Sequence, residues 1–163
     1  MQHSNMVQFK KEVSNTHFFI YRGKQFPFNF NFFRIASNFF IRNEESLFPS
    51  KNIQLLDKCD EETIDIDDAT IRHFIQYVHQ IPIPLQDNNA AILNFLGHKY
   101  EINELISCTE DYIASHQSDI VVDLLSIQQN DPKFDTTTYE KIISDNFLKY
   151  INEDNILKLK IST

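Results

Sequence analysis

The residues that could do chemistry are few and scattered. The chain carries six histidines and two cysteines, Cys59 and Cys108. A zinc site wants closely spaced Cys and His ligands, and no such group exists; His73 and His79 stand six residues apart, which does not stack them on one helix face. His98, just after Gly97, reads as a partly exposed turn histidine rather than a general base. Cys108 reads as a small core residue rather than a nucleophile, and the two thiols as reduced and unpaired rather than a disulfide framework. Gly23 and Gly97 are the only glycines, too few for a phosphate-cradling loop, and no serine sits in a nucleophile elbow. The acidic run from Asp57 to Asp68 lacks the central glycine and terminal bidentate glutamate of a calcium-binding helix–loop–helix, so it reads as a solvated acidic loop. The expectation is a protein that is not an enzyme, with no catalytic, metal-ligating or cofactor-binding residues and no cofactor.

Composition narrows the partners. A chain of 163 residues with 42% hydrophobic content suits one domain and an appendage. Phenylalanine is used 15 times and tryptophan not at all. The net charge of −8 argues against nucleic acid, whose phosphates reward a clustered basic surface, and equally against docking on an anionic membrane. There is no Asn-x-Ser/Thr acceptor, no signal peptide and no apolar run long enough to span a bilayer. A cytoplasmic or nuclear soluble protein is the expectation.

The elements that must position any functional surface centre on Asp87 to Ile113. Two short helices joined by a tight turn are expected there, with Asp87 capping the first. Ala91, Ile92, Phe95 and Leu96 form one apolar stripe. Gly97 to Tyr100 closes the first helix, Asn103 caps the second, and Leu105, Cys108, Tyr112 and Ile113 form its stripe. Each helix is short and buries one face, so both need flanking segments to pack on.

In chain order, Met6 to Phe9 is a possible edge strand within a polar N-terminal arm. His17 to Tyr21 and Lys24 to Phe28 read as a hairpin turning at Arg22-Gly23, with Pro27 harmless near the end of the second strand. Residues 29–42 are helical and dense in aromatics. Phe30, Phe33 and Ser37 fall on one side, and Phe32, Ile35, Phe39 and Phe40 nearer another; Ser37 starts a second turn as an N-cap. Loading on two sides favours association as well as a core. Asn43 to Ser50 reads as a loop, Asn52 to Leu56 as a strand or a helical turn, and Lys58 to Glu62 as an exposed turn. Thr63 to Ile66 alternates like a half-buried strand. A helix capped by Asp67 or Asp68 carries Ile71, Phe74, Ile75 and Val78, and Ile81-Pro82-Ile83-Pro84 ends it. Beyond the central pair, Asp119 to Gln129 and Thr136 to Tyr150 are expected helices, separated by a break at Asn130-Asp131-Pro132. A last turn holds Ile156, Leu157 and Leu159, and the chain stops at Thr163 without a clear terminal cap. The class is α+β.

This order, with the segments that fill it, resembles the BTB/POZ domain. KQFPFNFNFFRIASNFF looks like that family's second strand and following helices, with Ser37 before the aromatic pair. ETIDIDDATIRHFIQYVHQIPI looks like its acidic strand-to-helix segment. AILNFLGHKYEINELISCTEDYI carries the most specific likeness, in which Leu93, Leu96, Lys99, Tyr100, Leu105, Cys108 and Tyr112 fall in the family's pattern. The likeness spans residues 17–115, after an arm of residues 1–16. Residues 116–163 look like the start of a 3-box or BACK-like helical extension, the second likeness being carried by IISDNFLKYINEDNILKL. There is a further likeness to the N-terminal region of protozoan BTB-like ankyrin-repeat proteins, on which the chain reads as a fragment whose missing C-terminus carries repeats.

The resemblance implies a small mixed β-sheet flanked by α-helices, with further helices at the C-terminus. It also implies protein–protein association: a homodimer, and an adaptor linking a substrate to a cullin-based ubiquitin ligase. The alternative is an oligomerisation module for a C-terminal repeat domain with no ligase role. By resemblance the dimer interface falls on Phe30, Phe33 and Ser37, and the cullin-like partner surface on Phe40, Ile41, Leu47, Phe48, Ile81 and Ile83. Three features depart from the family, one being the corner residues His79, Gln80 and Ile81, which stand where Tyr-Thr-Gly is usual. Thr16, Asn29 and Phe30 stand where many dimeric members carry an Asp and a His-Arg pair. Phe40-Ile41-Arg42-Asn43-Glu44-Glu45 lacks an apolar residue two before a Glu, the motif of many cullin binders.

Overall fold

The computed structural model describes residues 15–128, 140–141 and 143–144. The first two strands, β1 (His17–Tyr21) and β2 (Lys24–Phe28), form an antiparallel hairpin in which Tyr21 faces Lys24. Its two turn residues, Arg22 at φ 48° and Gly23 at φ 75°, both adopt the left-handed conformation that matches the twist of a two-residue hairpin. A third strand, β3 (Asn52–Gln54), pairs parallel to β1, so the mixed sheet runs β2-β1-β3. One face buries His17, Phe19, Tyr21, Phe26, Phe28 and Ile53. Pro27 lies on β2, an edge strand, where a missing donor is least costly.

Seven helices complete the described chain: α1 (Phe30–Ala36), α2 (Asn38–Arg42), α3 (Glu44–Ser50), α4 (Lys58–Thr63), α5 (Asp68–Val78), α6 (Asp87–Lys99) and α7 (Asn103–Gln128). The class is α+β, as the residue pattern predicts. Ser37 divides the aromatic segment. Its backbone is extended (φ −120°, ψ 119°), and its Oγ accepts from the Phe40 N–H at 3.1 Å to start α2. The stripe of α5 is the expected one, with Ile71, Phe74, Ile75 and Val78 buried and Asp67 accepting from the Thr70 N–H at 2.7 Å.

Several local expectations change. Asn43 to Ser50 is not a loop: Asn43 precedes a helix over Glu44–Ser50, Glu44 and Glu45 suit its positive start, and Pro49 lies within its last turn. Lys58 to Glu62 is helical too, because the Asp57 carboxylate accepts from the Asp60 N–H at 2.9 Å. Ile64 and Ile66 are buried while Asp65 and Asp67 are exposed, so the strand-like alternation is real, yet no strand partner pairs it. The Tyr21 hydroxyl does that work, donating to the Ile64 carbonyl at 3.1 Å and accepting from the Ile66 N–H at 2.9 Å.

Asp87 is the first residue of α6 rather than its cap. Gln86 precedes it and donates its N–H to Asn89 Oδ1 at 2.9 Å, while Asp87 accepts from the Tyr112 hydroxyl at 2.7 Å. Helix α6 is buried from Asn89 to Gly97, and its polar members are satisfied: Asn94 donates to Thr109 Oγ1 on α7 at 3.0 Å. Gly97 lies inside α6 and sets the approach of α7, since a Cβ there would stand 3.1 Å from Ile106 Cγ1. The helix closes at Tyr100, and Glu101 takes φ 54° in the turn. Leu105, Thr109 and Ile113 form the buried stripe of α7; Cys108 is exposed, which corrects its expected place in the core. Helix α7 continues past residue 115, interrupted by non-helical backbone at His116 (φ −127°, ψ 20°). Residues 140–141 and 143–144 are helical. The expected strand at Met6–Phe9, the break at Asn130–Pro132, most of the Thr136–Tyr150 helix and the last turn lie outside the described residues.

These pieces meet at Tyr100, which is 2% exposed. Its ring lies 5.5 Å from those of Phe19, Phe39 and Phe74 and 5.8 Å from that of Phe40. Its hydroxyl donates to the Leu55 carbonyl at 2.7 Å, with the Gln54 carbonyl at 3.3 Å. Removing that hydroxyl leaves a buried acceptor without its donor. Tyr100→Phe is therefore expected to destabilise the protein by about 1–3 kcal/mol, and Tyr100→Ala by about 3–5 kcal/mol. Urea titration of both variants checks the ranking; equal stability of wild type and Tyr100→Phe would contradict the role of the hydroxyl.

Candidate interaction surfaces

The aromatic segment turns most of its rings inward. Phe30 and Phe33 are 1% and 0% exposed, and Ser37 is 0% exposed. Phe33 packs edge-on to Phe19 at 5.1 Å, Phe28 at 4.8 Å and Phe74 at 5.5 Å. Ser37 donates to the Tyr100 carbonyl while it caps α2. Within the single chain these three side chains are core. The outward residues of α1 are Asn31, Arg34 and Ile35, and Ile35 is 77% exposed. Phe40 is likewise core, at 0% exposed. A single helical projection through residues 29–42 misplaces it, because the extended backbone at Ser37 starts a new helix in a new direction.

Ile41 and Phe48 are half-exposed. With Arg42, Asn43, Glu44, Glu45, Ser46 and Pro49 they line a cleft of about 670 Å³. Phe48 is held from beneath. Its carbonyl lies 2.8 Å from His17 Nε2, and its ring meets Phe30 at 5.2 Å and His17 at 5.4 Å. Leu47 is partly buried against the core. Ion pairs fix both helices that form the cleft: Arg34 with Glu44 at 2.9 Å, and Arg42 with Glu101 through both carboxylate oxygens.

A second cleft, of about 510 Å³, follows α5. Tyr77, Gln80, Ile81, Pro82, Ile83, Leu85, Glu104 and Cys108 line it. Ile81 is exposed and Ile83 partly buried. Burial pushes the Tyr77 phenol above its ordinary range, so the hydroxyl stays a neutral polar group beside this apolar lining. Sequence periodicity missed Cys108 here, because its spacing from Leu105 and Tyr112 suited a buried stripe that Thr109 occupies instead.

The acidic run is not one solvated loop. Lys99 reaches Asp60 at 2.8 Å and Asp57 at 3.4 Å, and the backbone N–H of Asp60, which caps on Asp57, holds that carboxyl below its usual range. Among the described residues no three His, Cys, Asp or Glu side chains converge as a metal site, and no helix is long and apolar enough to cross a membrane. His98 sits in the last turn of α6, 3.7 Å from Glu110. No protein-family model matches the chain, and no curated protein matches it.

Cys59 and Cys108 are both exposed and unpaired. Both thiols are therefore expected to react with an aromatic disulfide reagent in the folded protein, as fast without denaturant as with it. A Cys108 thiol that reacts only after unfolding would return that residue to the core.

Proposed function

We propose that the chain is a non-catalytic protein–protein interaction module of the BTB/POZ kind, a homodimer and an adaptor that links a substrate to a cullin-based ubiquitin ligase. What supports the kinship is the order of elements: hairpin, aromatic helices, a strand, an amphipathic helix, an extended Ile-Pro-Ile-Pro segment and a packed helix pair. The observation that carries the adaptor reading is the cleft lined by Ile41 and Phe48. Two large apolar side chains stand there half in solvent on ion-paired helices, with a rim of Arg42, Glu44 and Glu45. An apolar centre with a charged rim is the anatomy of a protein interface. Burying such side chains contributes several kcal/mol at about 25 cal/mol per Å², before the cost of association.

The homodimer reading moves from Phe30, Phe33 and Ser37 to the outward side of α1, where Ile35 is the most exposed large apolar residue described. A second reading, an oligomerisation module with no ligase role, is favoured by the missing apolar-x-Glu motif between Phe40 and Glu45.

Two sets of substitutions separate these readings; because the Phe48 ring packs on Phe30 and His17, circular dichroism first checks that its variant is folded. Ile35→Asp is expected to convert a dimer into folded monomers, read as mass by light scattering. The double variant Ile41→Asp, Phe48→Asp is expected to stay dimeric and to lose capture of a cullin scaffold at least tenfold, about 1.4 kcal/mol. A wild-type dimer that captures no cullin leaves the oligomerisation reading. A wild-type monomer at every concentration rejects the homodimer.

A further inference from the structure

The histidine that closes α5 accepts a backbone hydrogen bond from the start of α1. His79 is the C-cap of α5, half-buried, and its Nε2 accepts from the backbone N–H of Asn29 at 3.1 Å. Asn29 is itself the N-cap of α1. A nitrogen that accepts a hydrogen bond carries no proton, so this contact fixes the imidazole as neutral with its proton on Nδ1. The ring also packs against Phe32 at 5.1 Å and Phe33 at 6.3 Å. On the other side of His79 the chain turns sharply. Gln80 takes φ 59°, a left-handed conformation unfavourable for a residue with a side chain, and Ile81 follows at the head of the second cleft.

We infer that His79 is a pH-sensitive latch, whose neutral imidazole ties the Gln80–Ile81 corner to the start of α1 and releases it on protonation. Protonation would place an N–H against the Asn29 N–H and a positive charge at the positive end of α1. Both effects repel. The groups facing the ring from α1 and its lead-in are Asn29, Phe32 and Phe33, none of them charged. On its own helix the nearest titratable side chains are Tyr77 and His73, and α1 contributes Arg34, exposed and paired with Glu44. Burial holds the His79 imidazole below its ordinary range.

The sign follows from linkage. A histidine whose folded pKa is depressed binds more protons in the released state. The latch is therefore complete above the ordinary histidine pKa of about 6.5 and is lost as pH falls through the window below it. Within that window the released population rises by up to about tenfold per pH unit.

Imidazole and amide resonances of the full chain, followed by NMR from about pH 8 to about pH 4.5, test this. The expected result is a His79 midpoint below about 6.5, with the Asn29 amide shifting at the same midpoint. Amide exchange protection at Asn29 and Ile81 should fall relative to His79→Gln compared at the same pH, since Gln offers an acceptor that does not titrate. A His79 midpoint at or above the ordinary value, or an Asn29 amide indifferent to it, would overturn the latch. So would equal protection in wild type and His79→Gln throughout. If the variant does not fold, the wild-type titration alone decides. The latch does not rest on the adaptor reading, because none of these readouts involves a partner.

Discussion

One buried tyrosine hydroxyl and the carbonyl of the same residue hold the fold together. Tyr100 stands where α6 gives way to α7, and its ring fills the space among Phe19, Phe39, Phe40 and Phe74. Its hydroxyl ties that corner to the residues that follow β3. Its carbonyl accepts from Ser37, the residue that ends α1 and starts α2. Burial keeps the phenol far above its ordinary range, so the group is a permanent donor. The sheet, the aromatic helices and the helix pair are thus coupled through one side chain. Displacing the corner would strip the Ser37 hydroxyl of its acceptor and uncover the Leu55 carbonyl at once, and unmet polar groups in an apolar interior are costly.

That coupling explains what remains on the surface. Helices of seven, five and seven residues, α1 to α3, make fewer than two turns each. Such short pieces cannot turn every apolar residue inward. Once Phe30, Phe33 and Phe40 take the interior, Ile35, Ile41 and Phe48 are left facing out or half out. The ion pairs of Arg34 and Arg42 then matter less for stability, since exposed pairs contribute little, than for fixing the orientation of the helices that carry these residues. His79 and the Ile81 corner repeat the pattern at the other end of the core, with a polar contact positioning exposed apolar surface.

Much of the architecture was legible in the residue pattern. The hairpin followed from Arg22-Gly23 between two β-rich runs, the α5 stripe from helical spacing, and the helix pair from its two periodic segments. Where the reading went astray, long-range contacts outvoted local pattern. Ile64 and Ile66 alternate like a strand, but Tyr21 supplies the hydrogen bonds that a strand neighbour would. Polar composition concealed α3 and α4, which owe their starts to acidic first turns and a carboxylate cap. Cys108 looked like core by spacing, yet the buried position on that face belongs to Thr109, whose hydroxyl meets Asn94 across the helix pair.

The α+β class, most element positions and the aromatic wealth of the interior depend on spacing and propensity over a few neighbouring residues, so the residue pattern alone carries them. Which aromatics stay on the surface depends instead on how distant segments pack. Phe30, Phe33 and Phe40 are chemically fit for an interface, but the break at Ser37 and the pull of Tyr100 turn them inward. Ile35, Ile41, Phe48 and Ile81 are left outside instead. The direction a side chain faces is set by how separate elements pack, and no local pattern carries that information.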